Sequence, residues 1–392
     1  MARKPLLVIV PDRLSVLLAK GEYTPRYYNP GDLFDEVHIL LTNNDRPDTE
    51  RLQMTVGSAR LHLHNLPLPS FVRTLGWQPP LLEGWIRQGI ALARQIQPDL
   101  IRAHGLHVHT YLVARLRMAL GVPAVVSLHS NLEDHAQRCH TLPQKFAFRR
   151  WRDVAEKHLH AIDHFIIVYA PIRRDLEPRG VRNYSLIYNV VGLDAIPKGD
   201  YALKDGVLRC VCVGRQDSEV KDPRNIVRAI AGLDGVELHL YGNGNLHDEL
   251  VALANGLGIA GRVTFKRSVP NPELMALLHT FDAYVFNSLS YGISKTVMEA
   301  ALVGLPIVHN WRQPPLSEEL VPDYYLKVED TVAGYRQGLQ ALRDDPDLRR
   351  SLGTAARVYA LQKWSPEATE AQTVHLYERL LAGEAMQLAT KA

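Results

Sequence analysis

At 392 residues, with 46% hydrophobic and 22% charged side chains, the chain has enough apolar material for two cores, more than a single small module needs. Its formal charge of +3 is slight for that length and implies no nucleic-acid partner. No apolar run reaches the roughly 18 residues of a membrane span. The three cysteines, Cys210 and Cys212 alternating in an apolar run and Cys139 far away, read as core thiols of a reducing compartment rather than a disulfide or metal site.

In chain order, Met1–Pro5 is basic, but the apolar stretch Leu6–Val10 is too short for a secretory leader and stops at Pro11 and Asp12. It is predicted as a first buried strand, and the chain as cytoplasmic. Strand-length apolar runs recur at Val37–Leu41, Leu100–Arg102, Ala124–Leu128, Phe165–Val168 and Leu186–Ile187, with helical stretches between them. A second series follows: Leu208–Val213, Val236–Leu240, Val263–Phe265, Ala283–Phe286 and Pro306–Val308. Strands alternating with helices predict parallel sheets, and two such series predict an α/β chain of two doubly wound, Rossmann-like domains facing a central cleft. The break lies in Gly192–Gly206, where Pro197, Lys198, Gly199 and Asp200 suit neither period, so residues 1–195 form the first domain and 196–362 the second. Within 363–392, Ser365 as N-cap and Pro366 at the first helical position open a last helix. Ala371, Val374, Tyr377, Leu380 and Leu381 share one face of it, and it is expected to pack back toward the first domain. In folds of this kind ligands sit at the carboxyl ends of the strands.

Several of those strand ends carry chemistry. Ala124–Leu128 delivers His129 to the cleft, as a ligand-facing group or as a histidine that caps its strand. His104, His107 and His109 are compact, yet no cysteine or carboxylate completes a metal spacing; His104 can line the cleft and the other two belong to a helix start, so no metal is expected. Gly214 and Arg215 follow Leu208–Val213, with Lys221 in the same loop, where a planar fork and a point charge reach a diphosphate from one side. The alternative for Arg215 is a surface ion pair with Asp217 or Glu219. Gly242 and Gly244 allow backbone to approach a ligand closely, but no third glycine completes a dinucleotide fingerprint, so no nicotinamide or flavin cofactor is expected. After Tyr284-Val285-Phe286, the chain reaches Ser294 as an N-cap and a helix in which Val297, Met298, Ala301 and Leu302 repeat until Gly304 and Pro306 stop it. The N–H groups of Ser294, Lys295 and Thr296, the helix dipole and the Lys295 charge describe an anion site.

The segment Ser290–Pro306 resembles the signature of the family 4 glycosyltransferases, which runs Glu, seven residues, then Glu-Ala-x-x-x-Gly-x-Pro. Glu299, Ala300, Gly304 and Pro306 fall on its second half, and Tyr291 stands where the family has its first glutamate. Gly214-Arg215 with Lys221, and the glycine turn at Gly242 and Gly244, resemble the same family. The resemblance implies a GT-B architecture and a retaining transfer of a hexosyl group from a nucleoside diphosphate sugar, UDP- or GDP-linked, to a hydroxyl acceptor on a glycan, a lipid-linked glycan or a small natural product. It further implies that Arg215 and Lys221 neutralise the leaving diphosphate, Glu299 holds the ribose hydroxyls and His129 lies near the anomeric centre. Gly21 would let backbone approach the donor, the backbone at Arg267, following its strand, would contact the base, and the backbone of Gly292 and Ile293 would bind the sugar beside Tyr291.

Around Gly21, Arg26, Tyr27 and Tyr28 shape the acceptor site or simply pack their loop. Lys145–Arg152 mixes basic and aromatic residues, either as a patch facing the inner surface of the membrane or as a solvated helix face with Phe146 and Trp151 inward. The same twin-domain frame also serves a sugar-nucleotide epimerase, which needs no acceptor, or a non-catalytic subunit that binds the nucleotide sugar.

Overall fold

The computed structural model describes residues 4–105, 108–130, 139–191, 194–217, 221–289, 292–311, 317–320 and 322–383. The chain divides into two compact units, Met1–Tyr188 with Thr369–Ala392, and Asn189–Ala368. In the first, β1 (Pro5–Val10), β2 (Glu36–Leu41), β3 (Arg60–Asn65), β4 (Leu100–His104), β5 (Ala124–Leu128), β6 (His164–Ile167) and β7 (Tyr184–Leu186) form a parallel sheet in the order β3-β2-β1-β4-β5-β6-β7. In the second, β8 (Leu208–Val213), β9 (Val236–Tyr241), β10 (Val263–Lys266), β11 (Ala283–Phe286), β12 (Ile307–Asn310) and β13 (Leu326–Val328) form another, in the order β10-β9-β8-β11-β12-β13. Each series starts in the middle of its sheet, builds outward to one edge, then returns to build the other side. The direction therefore reverses between β1 and β4, and again between β8 and β11.

The central strands are largely apolar because both of their faces are covered, without interruption in β1 and β11 and with single polar residues such as Arg102 in β4 and Arg209 in β8. Leu7 and Ile9 of β1 enter one core layer with Leu82, Trp85 and Leu112, while Leu6, Val8 and Val10 enter the opposite layer with Tyr28, Phe34 and Tyr377. Two strands escape a reading of apolar runs, β3 and β13, and both are edge strands. In β3 the order Arg60-Leu61-His62-Leu63-His64-Asn65 is only half-buried, since an edge position leaves part of each side chain in solvent. Cys210 and Cys212 are buried on β8 and unpaired, and burial pushes both thiols up, Cys212 to about 12.

The chain leaves the first unit at Tyr188, ahead of the Gly192–Gly206 break read from the sequence, because the connecting segment is already fastened to the second unit. Lys198 N–H donates to the Val303 carbonyl at 2.8 Å, its ammonium reaches the Phe281 carbonyl at 2.7 Å, and the Tyr201 hydroxyl donates to the Gly304 carbonyl at 2.9 Å. The last helix, Pro366–Leu381, starts where expected, with the Ser365 hydroxyl accepting from Ala368 N–H at 3.2 Å. Its buried face is Thr369, Thr373, Leu376, Tyr377 and Leu380, whereas Ala371 is exposed. Leu376, Tyr377 and Leu380 complete the core layer that holds Leu6, Val8 and Phe34. Helix Leu142–Glu156 turns Phe148 and Trp151 inward and leaves Phe146 56% exposed, correcting the expectation for Phe146.

Because Tyr377 is fully buried against the first sheet, Tyr377→Ala is expected to cost about 3 kcal/mol or more. Urea unfolding followed by hydrogen exchange would show the first unit opening at lower denaturant, with the second unit unchanged.

Candidate functional site

The loops that leave β8 and β9 are zipped together through backbone. Gly214 N–H donates to the Tyr241 carbonyl at 3.0 Å, Gln216 N–H to the Asn243 carbonyl at 3.1 Å, and Leu246 N–H to the Gln216 carbonyl at 3.0 Å. The glycines are there for this contact. A Cβ on Gly242 would lie 1.8 Å from the Gly214 carbonyl oxygen, and one on Gly244 would lie 1.9 Å from that of Gln216. Loop–loop packing therefore accounts for Gly242 and Gly244 without a ligand. Reciprocal backbone bonds at 3.2 Å between Asp217 and Lys221 close the loop after β8. Arg215 is 72% exposed and ion-paired with Asp217 at 3.2 Å, the surface pairing that was the alternative for it.

Lys221 is turned the other way. Its ammonium lies 3.3 Å from the Ser294 hydroxyl and 5.1 Å from the centre of the Phe286 ring, so it joins the loop after β8 to the helix that follows β11. From Ser294 a chain of hydroxyls continues to Thr296 at 3.0 Å and from Thr296 to the Val213 carbonyl at 3.1 Å. Tyr284 on β11 lies 2.7 Å from the Thr296 hydroxyl and 3.1 Å from that same carbonyl, and burial holds its phenol well above the usual range, so it remains a donor. Ser294 has the backbone of an N-cap (φ −73°, ψ 140°), yet its hydroxyl does not cap helix Lys295–Val303. The hydroxyl is spent on Lys221 and Thr296 instead.

Within that helix every residue from Val297 to Val303 is buried, and Gly304 ends it at φ 90°. Glu299 is 3% exposed, and its Oε1 accepts from the Asn271 side-chain amide at 2.9 Å. Lys295 is exposed, Ile293 is half-buried, and Gly292 is buried at φ 129°, a backbone region that favours glycine. Arg267 is exposed just past β10. Tyr291 lies outside the described residues. Cys212, Gly214, Arg215, Gln216, Lys221, Tyr241, Phe286 and Asn287 line one pocket at the carboxyl ends of β8, β9 and β11.

In the first unit, His129 follows β5 with its Nε2 3.3 Å from Nδ1 of His104, the two rings stacked. His104 is buried against Tyr27 and Tyr28, and burial first, then Arg102 and His129, keeps it well below the ordinary histidine range and so neutral. His109 points elsewhere, its Nε2 2.7 Å from the Thr42 hydroxyl, so it does not join His104; His107 lies outside the described residues. Gly21 closes the short helix Leu14–Ala19 at φ 64°, which explains its identity as a turn residue. Arg26 is paired with the last helix through two hydrogen bonds to Glu370 at 2.6 and 2.8 Å.

Three residues of the second-unit site were invisible as motifs: Gln216, Tyr284 and Asn287. Gln216 and Asn287 are almost fully buried beside the pocket, and among the described residues Gln216 Nε2 and Asn287 Oδ1 have no hydrogen-bond partner. A polar residue immediately past an apolar strand is the signal that would have found the asparagine.

Two family models match in tandem: Glycosyltransferase Family 4 over residues 33–195, and Glycosyl transferases group 1 over residues 198–359. An MMP alpha-(1->4)-mannosyltransferase of Mycolicibacterium hassiacum is 30% identical over 180 residues, and that match spans 44% of each chain, less than half of the relative's length. A glycogen synthase of Mycobacterium tuberculosis is 24% identical over 322 residues, 77% of this chain and 75% of that one. The solved structure of Anabaena Alr3699/HepE in complex with UDP and glucose has the same fold, with a TM-score of 0.67 and 15% identity over 96% of this chain and 99% of that one.

The zipped loops give a direct test. Gly244→Ala drives a methyl group into backbone rather than into a movable side chain, so a loss of about 1 to 3 kcal/mol is expected. Faster amide exchange at Gln216 and Leu246, with a lower thermal midpoint, would register it.

Proposed function

As the chain belongs to the family 4 and group 1 glycosyltransferases, using sugar-nucleotide donors on an α/β GT-B frame, we propose that it transfers a hexosyl group from a UDP- or GDP-linked sugar to a hydroxyl with retention. The observation that carries this reading is the contact of Lys221 with Ser294, which puts a positive charge at the start of helix Lys295–Val303. A diphosphate placed there meets the ammonium and the positive end of the helix dipole together. Arg215 joins them by exchanging Asp217 for phosphate, a small cost for a side chain so exposed.

In the reaction we propose, the bond between the anomeric carbon and the β-phosphate oxygen breaks and the acceptor oxygen bonds to the same face of that carbon. The acceptor's proton passes to the leaving phosphate. The growing charge on the diphosphate is what Lys221, Arg215 and the helix start are placed to stabilise, and donors fixed in advance act at no cost of reorganisation. Glu299, oriented by Asn271, is assigned to the ribose hydroxyls, and the backbone at Gly292 and Ile293 to the sugar. His129, oriented by the neutral His104, is assigned to the sugar and acceptor hydroxyls. UDP is the first nucleotide to test, since the HepE structure holds UDP.

We also propose that the first unit docks on an anionic membrane to reach a lipid-linked acceptor. Val72, Leu75, Leu142 and Phe146 are 82%, 70%, 82% and 56% exposed, and Phe71 and Phe146 are in ring contact at 6.1 Å. Arg73, Lys145 and Arg149 are exposed among them. Apolar tips framed by basic side chains suit the interface of an anionic bilayer.

Two measurements follow. Lys221→Ala and Glu299→Ala are expected to lower transfer at least about 100-fold, the scale of losing a placed electrostatic donor, with circular dichroism unchanged and the chain still cooperatively folded; full activity in both removes the site assignment. A donor altered without acceptor would indicate an epimerase, and a midpoint raised by UDP without turnover a binding subunit. In co-sedimentation with phosphatidylglycerol vesicles, wild type should pellet and Leu142→Ser with Phe146→Ser should stay in the supernatant; no pelleting by wild type rejects docking.

A further inference from the structure

The first sheet carries another polar cluster, on the far side of β1 from His104 and His129. Glu36 and His38 on β2 alternate with Val37 and Ile39, and His62 and His64 on β3 alternate with Leu61 and Leu63. The parallel register sets His38 directly beside His62. The alternation puts all four polar side chains on one face, and the imidazoles confirm it: the rings of His38 and His62 stack at 4.3 Å, and those of His38 and His64 at 5.2 Å.

Glu36 Oε2 lies 3.6 Å from His38 Nε2 and 3.8 Å from His62 Nε2, both too long for hydrogen bonds. His62 Nε2 is shut off from solvent with no hydrogen-bond partner. On its other side, His38 Nδ1 lies 3.0 Å from His64 Nε2. When that proton sits on His38 Nδ1, His38 Nε2 is a bare lone pair facing a carboxylate oxygen. A carboxylate oxygen and two imidazole nitrogens then converge, all within 4.8 Å of one another, with Glu36 6% and His38 9% exposed. A proton on one of the imidazole nitrogens or a cation between the three atoms relieves the repulsion among them.

We propose that Glu36, His38 and His62 bind a divalent transition-metal ion, zinc foremost, and that the ion fastens edge strand β3 to β2. Two imidazoles and a carboxylate are a zinc ligand set with a fourth position left for water. Ligands about 2.1 Å from a tetrahedral ion stand about 3.4 Å apart, so the 3.6 and 3.8 Å separations need close by only a few tenths of an ångström, while the stacked rings of His38 and His62 must tilt toward each other to aim both lone pairs at one ion. His64 completes the arrangement as the acceptor for the outer N–H of His38, the partner that a metal-bound imidazole ordinarily has. The 31% exposure of the His62 side chain leaves the ion a way in. This inference is independent of the transfer reaction.

The test uses the full chain, stripped with a chelator, dialysed, and titrated with Zn²⁺ against a chromophoric chelator and with Co²⁺ by visible absorption. Wild type should bind one equivalent of zinc, give the intense bands of four-coordinate cobalt and melt at a higher temperature when loaded. Glu36→Gln and His62→Gln should each weaken binding by about 10-fold or more, and His64→Ala by about 10- to 100-fold through loss of the outer partner. Glu36→Gln preserves shape, so the test stands even where an imidazole variant fails to fold. Zinc held equally by wild type, Glu36→Gln and His62→Gln, or no zinc held by folded wild type, overturns the proposal.

Discussion

Everything at the second-unit site depends on one geometric fact, the reversal of strand order between β8 and β11. Two adjacent parallel strands whose connections leave in opposite directions cannot have their carboxyl ends covered by the same crossover, so a crevice opens there. Gly214 and Lys221 come from one side of it, and Asn287, Gly292 and Ser294 from the other. A sheet that added its strands in one direction only would carry the same residues and bring none of them together.

The crevice is held at a fixed width by hydroxyl groups. Val213, the last residue of β8, offers its carbonyl to Thr296 and Tyr284, and Thr296 is bonded through Ser294 to Lys221. A buried carbonyl left without partners would be costly, and here its satisfaction also sets where the next helix begins. The ammonium is thus positioned by the same bonds that satisfy the strand end. On the other flank, the absence of side chains at Gly242 and Gly244 lets the loops after β8 and β9 share backbone bonds, so the floor of the crevice is rigid as well.

The buried strands were legible because covering a strand on both faces demands a largely apolar run, unbroken in β1 and β11 and interrupted only by Ser127 in β5 and Arg209 in β8. Edge strands make no such demand: β7 and β10 still showed short apolar runs, whereas β3, which alternates with polar residues, and the three-residue β13 were missed. Ser294 and Lys221 could be singled out because a helix start and a cation in a strand-end loop leave local signals, and Glu299 because of the resemblance to the family signature. What the sequence could not show is tertiary. Nothing near Arg26 announces Glu370, nothing in Tyr241–Gly244 says that the glycines answer to a neighbouring loop, and His38 and His62 become neighbours only through strand register. Phe146 and Phe148 differ by two positions on a helix, enough to exchange solvent for core.

The last helix places a constraint on biosynthesis. The core layer that holds β1 is finished by Leu376, Tyr377 and Leu380, and Arg26 is clasped by Glu370. During translation the strands of the first unit emerge long before these residues, and the whole second unit is made in between. The unit begun first is therefore the one completed last, and until then the part of that apolar layer covered by Leu376, Tyr377 and Leu380 stays open to chaperones, to misassociation, or to proteolysis.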